Sequence, residues 1–252
     1  MILVFLFIGF LAGILSGIFG IGGGVLIVPA LMIAGLAPAE ATGTSLAALL
    51  PPVGIFGVLI YRRERLVNVK AGLLIAFGLF LTMSLGAYLA NNVLDAGSLK
   101  VSYGIFLFYV SYRFLGPFKK KESGDTIIDS KDERDSTLGY FVLGCFAGVL
   151  SGLFGIGGGA IIIPSLTAFF HYSPKRAAGT SLMVLLPPVG LLGAWVYYSQ
   201  GNLPIDKAWP VVIGLLLGTI IGANLSVKLS ENLVKKMFGV FLLLIAIKYV
   251  FF

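Results

Sequence analysis

Apolar residues run without a charge from Met1 to Ala39, and after Glu40 no charge recurs until Arg62. Such stretches exceed the roughly 20 residues a membrane-spanning helix needs, so the pattern predicts a chain that threads a bilayer repeatedly. Three spans are expected in the first half, at 40–61, 71–91 and 98–116, and three in the second, at 177–198, 208–227 and 236–252. Residues 1–39 and 137–170 are too long for one straight helix and too short for two spans with an exposed loop. Each carries a glycine run at its middle, Gly20 to Gly24 and Gly155 to Gly159. The pattern therefore predicts a helical pair in each, broken or re-entrant at the glycines. Irregular backbone at that depth is tolerated only where protein or a cavity surrounds it.

The two halves repeat. Ala12 to Pro29 (AGILSGIFGIGGGVLIVP) matches Ala147 to Pro164 (AGVLSGLFGIGGGAIIIP) at an offset of 135 residues, and Gly43 to Gly54 (GTSLAALLPPVG) matches Gly179 to Gly190 (GTSLMVLLPPVG) at 136. Self-similarity on this scale decides architecture before any local feature does. Repeat one is set at 1–116 and repeat two at 138–252, within a single membrane domain. A hydrophilic linker at 117–137, holding the run KKKESGDTIIDSKDERD, joins them. The expected fold is an all-α integral membrane protein, each repeat a broken or re-entrant hairpin plus three transmembrane helices.

Charge orients the repeats. Loop 62–70 holds Arg62, Arg63, Arg65 and Lys70, whereas its counterpart at 199–207 sets only Lys207 against Asp206; the next pair of loops reverses the bias, with Asp95 alone in 92–97 and Lys228, Lys235 and Lys236 in 228–236. Basic residues concentrate on the cytoplasmic side of a membrane. Placing loops 62–70, 171–176 and 228–236 inside, together with Arg113 and the linker, puts 15 of the 18 Lys and Arg there. The second repeat is thus expected upside down relative to the first, with both termini outside. The N-terminus has no basic region of the kind that opens a secretory signal, so its apolar run is read as mature structure.

Composition agrees with a lipid environment: 58% of the 252 residues are hydrophobic and 12% charged, against about 25% charged in soluble domains. The net charge of +7 follows from the cytoplasmic loops, and no nucleic-acid partner is expected. Catalysis has little to work with. One His, one Cys and no carboxylate inside the expected spans leave no triad, no acid pair and no metal cluster, so no enzyme activity, metal or cofactor is expected. Neither glycine run continues into the Gly-Lys-Ser/Thr of a phosphate-binding loop.

Inverted repeats in transporters place the substrate near the bilayer midplane, at discontinuous helices. The first candidate discontinuity is the glycine run, with Gly22, Gly23 and Gly24 in repeat one and Gly157, Gly158 and Gly159 in repeat two. Half-helices starting after them, Val25 to Ile33 and Ala160 to Phe169, would aim free N–H groups and a positive dipole end at an anion. The other reading of these glycines is close helix packing, which is preferred for Gly13, Gly17, Gly148, Gly152, Gly214, Gly218 and Gly222. The second discontinuity is the paired proline, Pro51-Pro52 and Pro187-Pro188, expected to kink or break a span at mid-depth. Two turns upstream lie Thr42, Thr44 and Ser45, and Thr180 and Ser181. Their hydroxyls either donate to a substrate oxygen or bond their own backbone. His171 is read as a solvated loop residue, Glu40 as an interfacial anchor with ion coupling the alternative, and Cys145 as packing. Ser16, Ser151, Asn91 and Asn224 are assigned to bonds between helices, and Tyr61, Tyr197, Tyr198 and Trp209 to an interfacial belt.

The doubled Gly-(Ile/Leu)-Phe-Gly-Ile-Gly-Gly-Gly-x-(Leu/Ile)-Ile-x-Pro, followed in each half by Gly-Thr-Ser-Leu, resembles the TauE/SafE sulfite exporter family over essentially the full chain. The resemblance implies a multi-pass permease of a bacterial-type inner membrane whose partners are the lipid bilayer and a small sulfur-containing anion: sulfite, sulfoacetate, another sulfonate or thiosulfate. It carries over only to Gly22–Gly24, Gly157–Gly159, Thr44, Ser45, Thr180 and Ser181 as binding positions. Two other functions fit the same residues, a passive anion channel and a sodium-coupled carboxylate transporter. Neither a coupling proton or sodium ion nor an oligomeric state is specified by the sequence.

Overall fold

The computed structural model describes residues 2–115 and 135–230, together with Leu233, Lys236, Gly239, Val240, Leu243, Leu244, Ala246 and Ile247. Most of the expected linker and most of the last expected span lie outside these residues.

Every regular element among them is helical. Repeat one contributes α1 (Ile2–Phe19), α2 (Gly24–Ile33), α3 (Pro38–Ala48), α4 (Ile55–Arg63), α5 (Val69–Asn92) and α6 (Ala96–Leu115); repeat two contributes α7 (Thr137–Phe154), α8 (Gly159–Phe169), α9 (Pro174–Val184), α10 (Leu191–Ser199) and α11 (Ile205–Lys228). Four stretches are long and apolar enough to cross a membrane: α1, α5, α7 and residues Ile205–Ser226 of α11. At 1.5 Å per residue the 18 residues of α1 reach about 27 Å, long enough to cross a bilayer core, and the 10 of α2 only about 15 Å. The bent pair at the head of each repeat is therefore unequal, a full-length helix followed by a half-length one. The expected span at 40–61 is cut into α3 and α4, and that at 177–198 into α9 and α10.

Local chemistry fixes the helix ends. Asn68 caps α5 by accepting from Ala71 N at 3.0 Å, and Ser136 caps α7 by accepting from Gly139 N at 3.1 Å. Pro38 and Pro174 stand in the first turns of α3 and α9, where their missing N–H groups cost nothing. Glu40, in the first turn of α3, accepts from Ala37 N at 3.3 Å, which makes it a cap of that helix. Asp95 accepts from Gly97 N and from the Ser98 amide and hydroxyl at the head of α6. The Ser98 hydroxyl is the main reason its carboxyl titrates below the usual range. These bonds hold at neutral pH and are lost as the pH falls through that lowered value.

Two long helix pairs carry the packing. Methyl groups added at Gly9, Gly13 and Gly17 would strike the backbone of Val211, Gly218 and Gly222 in ascending order, so α1 and α11 lie in close contact and run the same way. Gly144, Gly148 and Gly152 likewise meet Ile75, Leu79 and Gly86, which aligns α7 with α5. Small residues at four-residue spacing let backbones approach this closely. Gly218→Val is expected to force α1 and α11 apart and lower stability by about 1–3 kcal/mol, read as a fall in the unfolding temperature of the purified protein.

The contacts are reciprocal between repeats. What Gly13 does to Leu215, Gly148 does to Leu79; Gly54 packs on Leu182 as Gly190 packs on Leu46. Each long pair thus joins one helix from each half, and the halves interlock rather than stand side by side.

Candidate binding site at the paired glycine breaks

Both glycine runs end a helix and begin another. Gly20, Gly22 and Gly23 have φ of 74°, 77° and 79°, and Gly155, Gly157 and Gly158 have 67°, 68° and 82°. These left-handed angles are open to glycine at little cost and strained for other residues. After the turn, Leu26 N and Ile27 N both donate to Gly23 O, and Ile161 N and Ile162 N both donate to Gly158 O. The half-helices α2 and α8 thus start at Gly24 and Gly159, one residue ahead of the sequence-based starts.

The two breaks touch. A methyl group at Gly24 would lie 2.6 Å from Ile156 C, and one at Gly159 would lie 2.5 Å from Ile21 Cα. The same glycines therefore serve both readings raised by the sequence: they break the helices, and they allow the breaks to pack backbone to backbone. Leucines close over them. Leu185 sits against Gly22 and Leu215 against Gly23, while Leu49 and Leu79 take the matching places against Gly157 and Gly158. Leu49 and Leu185 are the cap residues at the ends of α3 and α9, fully buried.

The hydroxyl residues of α3 and α9 are all buried: Thr42, Thr44, Ser45, Thr180 and Ser181. Thr42 packs on Gly155, and its counterpart Ala178 packs on Gly20. Ser45 Oγ donates to Gly155 O at 2.6 Å, tying α3 of the first repeat to the break of the second. Thr180 Oγ1 accepts from Asn68 N at 3.0 Å. By contrast, Thr44 Oγ1, Ser181 Oγ and Ser151 Oγ are buried with no hydrogen-bond partner among the described residues. One cause is legible in the sequence. Thr44 corresponds to Thr180, but the residue corresponding to Asn68 is Pro204, the cap of α11, which has no N–H to give. A buried hydroxyl left unsatisfied costs about 1–3 kcal/mol, so these three are exceptions to the usual pairing of buried polar groups.

The paired prolines break their helices outright. Residues 49–54 separate α3 from α4, with Val53 N on Pro51 O and Ile55 N on Pro52 O; residues 185–190 repeat this with Val189 N on Pro187 O and Leu191 N on Pro188 O. The site residues of α3 and α9 thereby hang on short irregular links.

Two assignments change. Tyr61 and Tyr197 are core residues, not members of an interfacial belt: each is at most 1% exposed. Tyr61 OH bonds Ser226 Oγ at 2.7 Å beside the α1 terminus, and Tyr197 OH donates to Gly152 O at 3.1 Å in α7. Their fixed distance from the proline break was the signal for a paired structural role. Tyr198 and Trp209 remain exposed. Ser151, expected to bond another helix, does not, while Asn224 bonds Ile220 O in its own helix and Asn91 accepts from Asn202. A separate apolar groove of about 380 Å³, lined by Ala47, Leu50, Trp195, Trp209 and neighbours, contains none of the candidate site residues. In the other half Met183 stands where repeat one has Ala47, and it packs on Gly72.

Interlocked halves, two touching breaks and long apolar helices define a multi-pass membrane protein with its polar centre enclosed by protein. Similarity places it further: the chain belongs to the sulfite exporter TauE/SafE family, whose model matches residues 5–249. It is 26% identical to the probable membrane transporter protein YunE of Bacillus subtilis, over 97% of this chain and 95% of the relative. It is 30% identical to a probable membrane transporter protein of Methanocaldococcus jannaschii, over 92% and 91% of the two chains. No solved structure matches it. The protein is a membrane transporter of this family, located in the cell membrane.

Proposed function

We propose that this chain is a secondary transporter that moves a small sulfur-containing anion, such as sulfite, sulfoacetate or a related organosulfonate, across the inner membrane. The site lies between two inverted repeats and is exposed to either side in turn. The observation that carries this is the pair of touching helix breaks, with buried hydroxyls that have no partner among the described residues on the helices packed around them. Neutral O–H and N–H donors suit an oxyanion, and they hold it without the full positive charge that would slow its release. The description of the family as a sulfite exporter favours the sulfur anion.

Inversion is supported by the directions of the helices. Gly54 at the head of α4 and Gly57 within it meet Leu182, and Tyr61 meets Gly179, so α4 runs against α9; Asn68 at the head of α5 and Gly72 within it meet Thr180 and Met183, so α5 runs with α9. Since α1 runs with α11, and α5 with α7, these directions fit equivalent helices of opposite sense. Alternating exposure is supported by Leu49 and Leu185, which seal the glycines and sit at the hinges provided by the proline links. No chemical step on the substrate is invoked.

Uptake into proteoliposomes from a panel of sulfite, sulfoacetate, thiosulfate, sulfate and small carboxylates, with and without pH and sodium gradients, tests the substrate. Saturable uptake and counterflow of a sulfur anion are expected. Saturable carboxylate uptake with no response to any sulfur anion would overturn the assignment, and non-saturating flux would identify a channel.

A further inference from the structure

We infer that the turn closing α4 is a headgroup site for an anionic phospholipid, built from the guanidinium groups of Arg62, Arg63 and Arg65. The site requires a bilayer and no particular cargo. Helices α4 and α10 end alike: Leu66 N donates to Tyr61 O at 2.9 Å and Arg65 N to Arg62 O at 3.0 Å, while in repeat two Asn202 N donates to Tyr197 O at 2.8 Å and Gly201 N to Tyr198 O at 3.0 Å. A closure of this kind needs a left-handed residue just past the helix, usually glycine. Repeat two supplies one, Gly201 at φ 74°, whereas repeat one holds Arg65 at φ 56°. A side chain is strained there, so an arginine in a place that its twin gives to glycine points to a use for the arginine. Among the described residues the other non-glycine residue with left-handed φ is His171, at 60°, and it stands where repeat one has Gly35. The two turns adjoin, since Asn68 Nδ2 donates to Tyr172 OH at 2.7 Å. Orientation of the chain by positive charge accounts for basic residues at this end. It does not require one at the strained position.

The outer face of α4 shows what these arginines meet. Ile55, Phe56 and Leu59 are exposed on it, and in a membrane protein such a face is covered by acyl chains. Arg62 and Arg63 lie three and four residues beyond Leu59, so they continue the same face at the end of the helix. The twin helix marks the level: Leu59 and Arg62 correspond to Trp195 and Tyr198, both exposed and both of the type that gathers at a membrane surface. Arg62, Arg63 and Arg65 are themselves exposed, and none makes an ion pair or a side-chain hydrogen bond with another described residue. The bond from Arg65 N to Arg62 O folds the third arginine back beside the first. Glu64 is the one acid in the turn, against three cations. A guanidinium group meets phosphate oxygens two at a time and is weakly hydrated. The occupant that fits both the charge and the apolar face is therefore a lipid whose phosphate lies on the turn and whose acyl chains lie along α4.

Thermal unfolding of the purified protein in detergent, with added phosphatidylglycerol or with phosphatidylcholine of the same acyl chains, tests the site. Phosphatidylglycerol at about tenfold its Kd is expected to raise the unfolding temperature by about 3–6 °C over phosphatidylcholine. Arg62→Gln combined with Arg63→Gln is expected to lose most of that rise. Arg65→Gly is expected to lose part of it, while the lipid-free unfolding temperature stays level or climbs because glycine adopts the left-handed angle freely. An arginine with a purely structural role would not show that combination. Lys207 stands near the head of α11, whose other end meets Tyr61 through Ser226, so Lys207→Gln removes a charge from the opposite end of the molecule and is expected to keep the full rise. An equal rise with both lipids would overturn the site. So would the same rise with inorganic phosphate or glycerol phosphate in place of lipid, or a loss in Lys207→Gln as large as in the arginine variants.

Discussion

Gly24→Ala and Gly159→Ala each reduce sulfite flux roughly tenfold or more, an effect of ~1.4 kcal/mol at the site, and lower the unfolding temperature. The methyl group has nowhere to go. It would lie 2.6 Å from Ile156 C in one case and 2.5 Å from Ile21 Cα in the other, against backbone that cannot rotate aside. Overpacking of this kind costs about 1–3 kcal/mol, and here the strain falls on the junction of the two breaks. Gly35→Ala is the control. Gly35 has φ of 96°, but nothing lies within 4 Å of the added methyl group. It is expected to suffer only the local backbone penalty, about 1–2 kcal/mol, with flux retained. Gly24 and Gly159 do not have left-handed φ angles, so equal loss of flux in all three variants would mean that the loss is not specific to contact between the breaks.

Truncating the leucines over the breaks has a comparable effect on stability and a different one on transport. Leu49→Ala and Leu185→Ala each empty a fully buried position and are expected to cost about 2–5 kcal/mol, measured by thermal unfolding. The double variant also removes the apolar cover from Gly157 and Gly22. Its flux down a gradient is expected to saturate less and its counterflow to weaken, because the seal between the two sides is thinner. A double variant that is destabilised but keeps full counterflow would assign these leucines to packing alone.

The chain made its membrane character plain, since 39 residues without a charge admit few soluble structures. Both discontinuities were legible too, because a glycine run and a proline pair each act on the backbone locally, and local rules need no knowledge of the neighbours. What lay beyond the sequence was the partnership of side chains. Tyr61 and Tyr197 look like interfacial aromatics until the carbonyls near the ends of α1 and α7 come within reach of their hydroxyls. Ser45 and Ser181 are equivalent in the motif and unequal in the fold, because only Ser45 meets a carbonyl. The orphaning of Thr44 was half legible. Pro204 at the place of Asn68 is visible in the alignment of the halves, but that Asn68 N serves Thr180 is not. The short α2 and α8 were legible to within a residue, because the glycine runs mark where they start; continuous apolarity hid only that α1 and α7 are each long enough to cross a membrane.

Whether two repeats of opposite sense meet at one site is tested most directly by cysteine labelling. In a Cys145→Ala background, Val93→Cys and Ser199→Cys sit at the ends of α5 and α10, and Glu64→Cys and His171→Cys in the loops before α5 and α9, all at exposed positions. For inverted repeats, an impermeant thiol reagent is expected to label Val93→Cys and Ser199→Cys in intact cells, and to reach Glu64→Cys and His171→Cys only after the membrane is opened. Labelling of Val93→Cys and Ser199→Cys from opposite sides would contradict the inversion.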